Sequence, residues 1–354
     1  MNGEFLTPID AFTVIDLIFM SMLVVVGIAI VRLKDLFAVV MLSGVYSLVS
    51  AAWFVSLDAV DVAFTEAAVG AGISTVLMLG AMLLTARQAA PTKPARHWVA
   101  LIVVCATGAA LLYATVDMPS FGDPLSAPNA YIGLEYLKRT GPETGVPNVV
   151  SAVLASYRGY DTFGETTVIL TAGLGVVLIL GLGGPAIKRK KTSAAKAKAA
   201  KIDQSKILGA HHVVLRVVSK MMIPVIIIYG AYVQFHGDFG PGGGFQAGLI
   251  IASAIILYAL IFGIDAAKEA VPPSLVRLGA ALGVLIYGGV GVINLLLGGN
   301  FLEYNILNPT HPSHGQELGI MFVEIGVLVT VASVMLIIFY GFTSRQPDIS
   351  DKDW

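Results

Sequence analysis

The sequence predicts an all-α, polytopic membrane protein of about nine transmembrane helices, with its N-terminus outside and its C-terminus cytoplasmic. Three observations carry that expectation. The 354 residues are 56% hydrophobic and only 13% charged, about half the charged fraction of an ordinary soluble domain, and the mean hydropathy is +0.82. Nine mostly apolar stretches each have the roughly 20 residues that cross a bilayer core, and the alternating ten-residue pattern of a barrel is absent from the chain. Lys and Arg fall almost wholly in every second loop, which assigns those loops to the cytoplasm. So little polar surface excludes a soluble enzyme and a disordered protein. A formal net charge of -1 leaves no general basic footprint for nucleic acid. The single cysteine, Cys105, excludes an internal disulfide, a Cys-ligated iron–sulfur cluster and a zinc ribbon.

The first expected span, Phe12–Val31, reads as retained, because Met1–Asp10 carries Glu4 and Asp10 but no Lys or Arg and so lacks the basic start of a signal peptide. Arg32 and Lys34 follow it, then Leu36–Leu57 and Val62–Ala86. Arg87, Lys93 and Arg96 precede the fourth span, Trp98–Val116. Asp117–Pro147 is a polar, Pro/Gly-rich external stretch, expected to hold at most a short helix around Tyr131–Thr140. Thr166–Gly184 is the fifth span, and the remaining four are Val213–Phe235, Gly244–Gly263, Leu278–Leu297 and Leu318–Tyr340. Lys268, Arg277, Arg345 and Lys352 keep the same side as the earlier basic loops, whereas the opposite loops hold only Lys138, Arg139 and Arg158.

Between spans five and six, Ile187–Lys206 reads IKRKKTSAAKAKAAKIDQSK, with eight basic residues. It is a solvated cytoplasmic linker, with attraction to anionic lipid headgroups, roughly 1 kcal/mol per basic residue near the surface, as the functional alternative. The chain divides into a three-span domain (1–90), a two-span domain with the external loop (91–186), the linker (187–206) and a four-span domain (207–354).

Carboxylates inside spans are costly and mark functional positions. Span three opens DVAFTEAAVGAG, with Asp61 as an expected N-cap and Glu66 about 7 Å further along the helix. Gly70 and Gly72 allow close helix contact or a local bulge. Against a functional reading of Glu66 stands simple favour from the helix dipole. Span five opens YRGYDTFGETTVIL, where Thr162-x-x-Glu165 has the form of a capping box, a structural role. Span nine carries Glu317 near its external edge and, on the same face, Glu324 about 10 Å deeper. Asn294 in span eight is a partner for Glu324 by type. Asp16 in span one lies close enough to its end to reach the interface. HGDFGPGGGFQAG, between spans six and seven, has Pro241, Gly242, Gly243 and Gly244 and forms a sharp external turn. It lacks the Lys and Ser/Thr of a phosphate loop, and His236 and Asp238 within it are able to titrate or relay protons. Gly244, Gly248 and Ala252 form a small-xxx-small face. No lysine lies mid-membrane, so the chain lacks the buried relay of a complete transporter.

These residues resemble a known family. DVAFTEAAVGAG with ISTVLMLGAML resembles the three-span domain near the C-terminus of the large A subunit of Mrp-type Na+/H+ antiporters, whose free-standing version is the D subunit of membrane-bound hydrogenases. NVVSAVLASYRGYDTFGETTVIL resembles the next domain of the same proteins, a pair of spans like the hydrogenase E subunit. SKMMIPVIIIYGAYVQFHGDFGPGGGFQAG with GQELGIMFVEIGV resembles the Mrp B subunit (MnhB-like). The matches cover most of the chain; the PGGGF and RGYDTFGE segments are the diagnostic ones.

The resemblance implies a cation/proton antiporter subunit, not an enzyme, in the inner (cytoplasmic) membrane, within a complex related to the membrane arm of respiratory complex I. That complex exchanges cytoplasmic Na+ for external H+. It implies no cofactor and no bound metal beyond the transported Na+ and H+, with membrane lipid as the other small partner. Its protein partners would be a separate large antiporter-like subunit and small subunits C to G. Glu66 matches the family's membrane carboxylate, in a span that can carry a π-bulge, and is the first candidate for an ion or proton relay, with Glu324 second. A membrane-arm subunit of a hydrogenase or other redox complex is the alternative, and a purely structural role, gluing antiporter modules together, is a third.

Overall fold

The computed structural model describes residues 11–82, 84–89, 94–120, 122–180 and 213–343, so the basic linker 187–206 and the basic residues Lys93, Arg345 and Lys352 lie outside the described residues. Helices make up the described architecture. In chain order they are α1 (Ala11–Arg32), α2 (Leu36–Ser56), α3 (Val60–Met82), α4 (Pro94–Ala114), α5 (Leu134–Thr144), α6 (Val149–Ala152) and α7 (Gly159–Leu180). They continue with α8 (Val213–His236), α9 (Gly244–Phe262), α10 (Ile264–Ala270), α11 (Pro273–Leu296) and α12 (Pro312–Thr343).

Among the described residues, eight of these are long and apolar enough to cross a membrane by length and composition. The ninth expected span corresponds to α4, a helix of 21 residues whose described apolar part is Trp98–Ala114. The external stretch is also more ordered than expected. A π-helical turn, Pro128–Gly133, leads into α5, and a second π segment, Val153–Tyr157, continues α6. Side-chain contacts account for the order: Glu143 on α5 accepts from Tyr157 Oη at 2.6 Å and from Arg139 Nε at 2.8 Å.

Local chemistry sets the helix ends. Asp35 caps α2, its carboxylate accepting from the N–H groups of Phe37 and Ala38. The loops before α2 and after α3 are stitched by Leu36 N–H to Arg87 C=O and Ala89 N–H to Lys34 C=O, both 2.9 Å. In α3 the Ala/Gly-rich run Ala67–Ser74 is π-helical. The hydroxyls of Ser74 and Thr75 both donate to the Gly70 carbonyl there, at 2.8 and 3.2 Å, and so satisfy an acceptor in the widened turn.

The longest helix, α12, has 32 residues and spans about 48 Å. It forms the centre of the fold, with Ile320, Val323 and Val331 fully buried. Small residues let α11 and α12 approach to backbone contact: a Cβ on Gly326 would stand 2.7 Å from the Gly283 carbonyl oxygen. At one end of the bundle Tyr340 Oη donates to the carbonyls of Val271 and Ala267, and Leu180 lies beside Gly341. At the other end meet the α2–α3 loop, the residues around Asn148, and the turn between α8 and α9. These are the groupings that the alternation of basic loops requires. By contrast α1 and α4 leave most of their apolar side chains outward, as for Tyr113, 81% exposed.

Candidate functional site

The turn His236–Gly243 is the feature on which the site is built. Gly243 has φ +119°, a conformation that glycine adopts without strain. Its N–H bonds back to the Val233 carbonyl at 3.1 Å. Asn148 grips the turn from the other side: its Nδ2 donates to the carbonyls of Gly237 and Gly240, both at 2.9 Å, and its N–H to the carbonyl of Asp238. Ser151 Oγ donates to the Gly237 carbonyl as well, at 2.7 Å. Beneath the turn, α9 crosses α12 so closely that a Cβ on Gly244 would overlap the Glu324 carbonyl oxygen.

Below this turn lies a cavity of about 240 Å³, room for several water molecules. Asp61 from α3, Glu165 from α7 and Glu324 from α12 all line it, with Thr65, Thr162, Thr166, Gln246 and Tyr287 as further polar groups and Val323, Val327 and Ile169 as apolar wall. Asp61 accepts from the Gly242 N–H at 3.3 Å, and Gln246 Nε2 donates to Thr65 Oγ1 at 2.9 Å, so α3 is tied to the turn and to α9. Glu324 sits against the Cα of Gly243, whose Cβ would lie 3.1 Å from its Oε1. Among the described residues lining the cavity there is no Lys, Arg or His. Nor, among the described residues, is any group of three or more His, Cys, Asp and Glu disposed to hold a metal ion.

The structure corrects two of the sequence-derived assignments. Asp61 is not the N-cap of α3: that position is Ala59, without a side-chain bond, because the chain reverses at Asp58 (φ 58°) and the helix starts one residue before Asp61. The Asp61 carboxylate is thus free to reach Gly242. Thr162 and Glu165 do not form a capping box either, since α7 begins at Gly159 and both lie inside it. Arg158, in ion pair with Asp161 at 2.6 Å, closes the entry turn instead, and Thr162 Oγ1 donates to the Leu154 carbonyl. Glu165 is left to face the cavity.

Other candidates are placed apart. Glu66 is one residue past Thr65 and turns to another side of α3, where its Oε1 and Ser47 of α2 pack over Gly70. Gly70 is required there, whereas Gly72 faces an apolar groove against α9. Asp16 accepts from Trp53 Nε1 at 2.9 Å, an α1–α2 contact. His236 stacks on Tyr232, with ring centroids 5.0 Å apart. Asn294 is fully buried, and among the described residues neither of its amide atoms has a hydrogen-bond partner, Glu324 included.

A second cavity, about 450 Å³, lies on the outer side of the turn and is lined by Asp238, Glu317 and His314. Asp238, outside the spans, has its carboxyl held above the ordinary range, first by burial and then by the charge of Glu317. The grouping of Asp61 and Glu165 with Glu324 was missed from sequence. The available signal was that all three lie toward the same end of their spans as the Gly-rich turn.

Known proteins match the chain segment by segment. A family model described as a domain related to the MnhB subunit of Na+/H+ antiporter matches residues 214–337. Ahead of it, models for MbhD and MbhE, the D and E subunits of MBH, match residues 21–87 and 95–196. A Staphylococcus aureus (strain Newman) sequence carrying the name antiporter subunit mnhB2 is 37% identical over 128 residues, which is 34% of this chain and 90% of that one. Among solved structures, a chain of the Mrp complex from Dietzia sp. DQ12-45-1b superposes with TM-score 0.71 and 25% identity. The match covers 99% of this chain and 36% of that one, so this chain spans little more than a third of its length. A chain of the membrane-bound sulfane sulfur reductase, an archaeal respiratory membrane complex, matches over 70% of this chain and 97% of its own, with 26% identity and TM-score 0.47. The chain belongs to the MnhB-related family of Na+/H+ antiporter subunits, with segments similar to the MBH D and E subunits fused ahead of its MnhB-related part.

Proposed function

We propose that the chain is a membrane subunit of a multi-subunit Na+/H+ antiporter in the cytoplasmic membrane, and that it supplies a protonatable chamber open toward the external side. The observation that carries this reading is that Asp61, Glu165 and Glu324, one from each of the three fused segments, line a single cavity at the external end of the bundle. Asp61 has a backbone N–H donor and lies in the first turn of α3, where the helix dipole favours a negative charge. Glu324 has Val323 and Val327 of α12 beside it, with no Lys, Arg or His among the described residues lining the cavity. A carboxylate at that depth is costly to keep ionised without a counter-charge, so it takes up a proton or a cation. Glu324 is thus the exchanging group, and Asp61 a fixed negative neighbour that favours cationic occupants.

The partners in this reading are a large antiporter-like subunit and small subunits C to G, with Glu66, beside Ser47, at a separate position on the ion path. The test is Na+-driven proton movement in vesicles holding the assembled complex. Glu324→Gln is expected to lower exchange at least tenfold, on the order of what a single proton-transfer group contributes, with the complex intact. Unchanged exchange in Glu324→Gln overturns the chamber, and unchanged exchange in Glu66→Gln removes that residue from the path.

The similarity of residues 21–87 and 95–196 to MBH subunits favours one second reading, a membrane-arm subunit of a redox complex. Purification of the native complex decides between them: copurifying NiFe or Fe–S subunits identify a redox machine.

A further inference from the structure

Two cavities flank the turn between α8 and α9: Asp238 and Phe239 line the outer one, and Gly242, Gly243 and Gly244 line the inner one. The outer one, about 450 Å³, brings Asp238 together with Glu317 and His314 of α12. The inner one holds Glu324. Glu317 and Glu324 are seven residues apart on one face of α12, about 10 Å along its axis. Asp238 shares the outer cavity with Glu317, and its neighbour Gly237 packs on Gly243, which in turn packs against Glu324 Oε1. Its Oδ1 is fully buried and has no hydrogen-bond partner among the described residues, a state that a buried carboxylate oxygen rarely occupies without a functional reason. The fold does not use the side chain: the turn is anchored through the Asp238 carbonyl, which accepts from Asn148 N–H at 3.0 Å.

We propose that Asp238 is a proton relay joining an external vestibule, lined by Glu317 and His314, to Glu324 in the inner chamber. The inference rests on the reading of Glu324 as the exchanging group. In the inward step a proton leaves a hydronium ion in the vestibule for the Asp238 carboxylate, releasing water. The Asp238 O–H bond then breaks as the Glu324 carboxylate accepts the proton through intervening water, and Asp238 returns to its ionised form. No electron changes hands. Burial and the negative charge of Glu317 both favour the protonated form of Asp238. The titratable groups sharing its cavity are Glu317 and His314 on α12, and Glu324 lies on the far side of Gly243. The 145–147 segment that closes the vestibule contributes none, and His236 at the end of α8 is stacked on Tyr232 instead.

The experiment compares Asp238→Asn, Asp238→Glu and Glu324→Gln in the assembled complex, with assembly checked by size exclusion. Asp238→Asn is expected to slow exchange about tenfold or more and to flatten its dependence on external pH. Asp238→Glu restores most of the rate. Added imidazole, a small diffusible proton carrier, accelerates Asp238→Asn but not Glu324→Gln. The relay is overturned if Asp238→Asn exchanges at the wild-type rate, if Asp238→Glu is as slow as Asp238→Asn, or if imidazole leaves Asp238→Asn unchanged. Those outcomes with Glu324→Gln inactive leave the chamber standing, whereas an active Glu324→Gln removes both.

Discussion

Replacing Gly244 by Ala tests whether the contact between α9 and α12 shapes the chamber. The added methyl would overlap the Glu324 carbonyl oxygen and stand 3.0 Å from the Leu328 nitrogen, and both are backbone atoms that no rotamer change can move. Ordinary C···O contacts lie at about 3.3–3.6 Å, so the two helices must separate here by on the order of 1 Å. A gap of 0.5–1 Å forfeits roughly a quarter to a half of each van der Waals well along the contact, which puts the cost at about 1–3 kcal/mol, the usual range for overpacking. One turn on, a Cβ on Gly248 would stand 2.8 Å from the Leu328 carbonyl oxygen and 3.0 Å from Val331 Cβ, so the helices are equally close there and a local tilt cannot relieve the strain. The control is Gly289→Ala in α11, where the new Cβ meets nothing within 4 Å and helix propensity gains up to about 1 kcal/mol. Thermal unfolding of the purified protein in detergent reads both. Gly244→Ala should unfold several degrees lower than wild type and Gly289→Ala at the same temperature or higher. Equal midpoints for the two variants would refute the close-contact argument, and with it the claim that Gly244 sets the position of Glu324.

Three further outcomes are expected. Asp61→Ala leaves the Gly242 N–H without its 3.3 Å acceptor and should cost about 1.5–3 kcal/mol in thermal unfolding, whereas Asp61→Asn keeps an acceptor and should lose less. Trp53→Phe removes the 2.9 Å donor to Asp16, and should loosen α1 from α2 by about 1–3 kcal/mol, read as faster proteolysis of the loop between them. Tyr157 has its hydroxyl pushed up to about 12, by burial first and by its bond to Glu143 second. Its contribution to stability is therefore fully present below the unfolded value near 10 and fades as pH rises from there toward 12. Difference absorbance between wild type and Tyr157→Phe should show the phenolate forming late, and earlier in Glu143→Gln.

Much of the fold was legible along the chain. Long apolar runs between Lys/Arg-bearing loops fix which helices cross and which ends meet, and the structure brings Leu180 beside Gly341 and Asp61 beside Gly242 accordingly. Thr162 and Glu165 show where that reading stops. A capping box and a helix interior share the same spacing, and only the start of α7 at Gly159 distinguishes them. The resemblance singles out Glu66 as a membrane carboxylate, but the direction its side chain takes is visible only in the fold: it packs by Ser47 while its neighbour Thr65 bonds to Gln246.

Hydropathy and charge report what each segment exchanges with water or lipid, and this is a property of the segment alone, so class, span order and the small-residue crossing at Gly244 and Gly248 follow from sequence. The gathering of Asp61, Glu165 and Glu324 around one cavity depends on how far each helix is rotated about its own axis. In a membrane that rotation is chosen by close packing and by bonds between helices, here the Gly244–Glu324 contact, the Gly242–Asp61 bond and the grip of Asn148 on the turn. Those contacts join residues up to 181 positions apart, and only the folded chain brings them together.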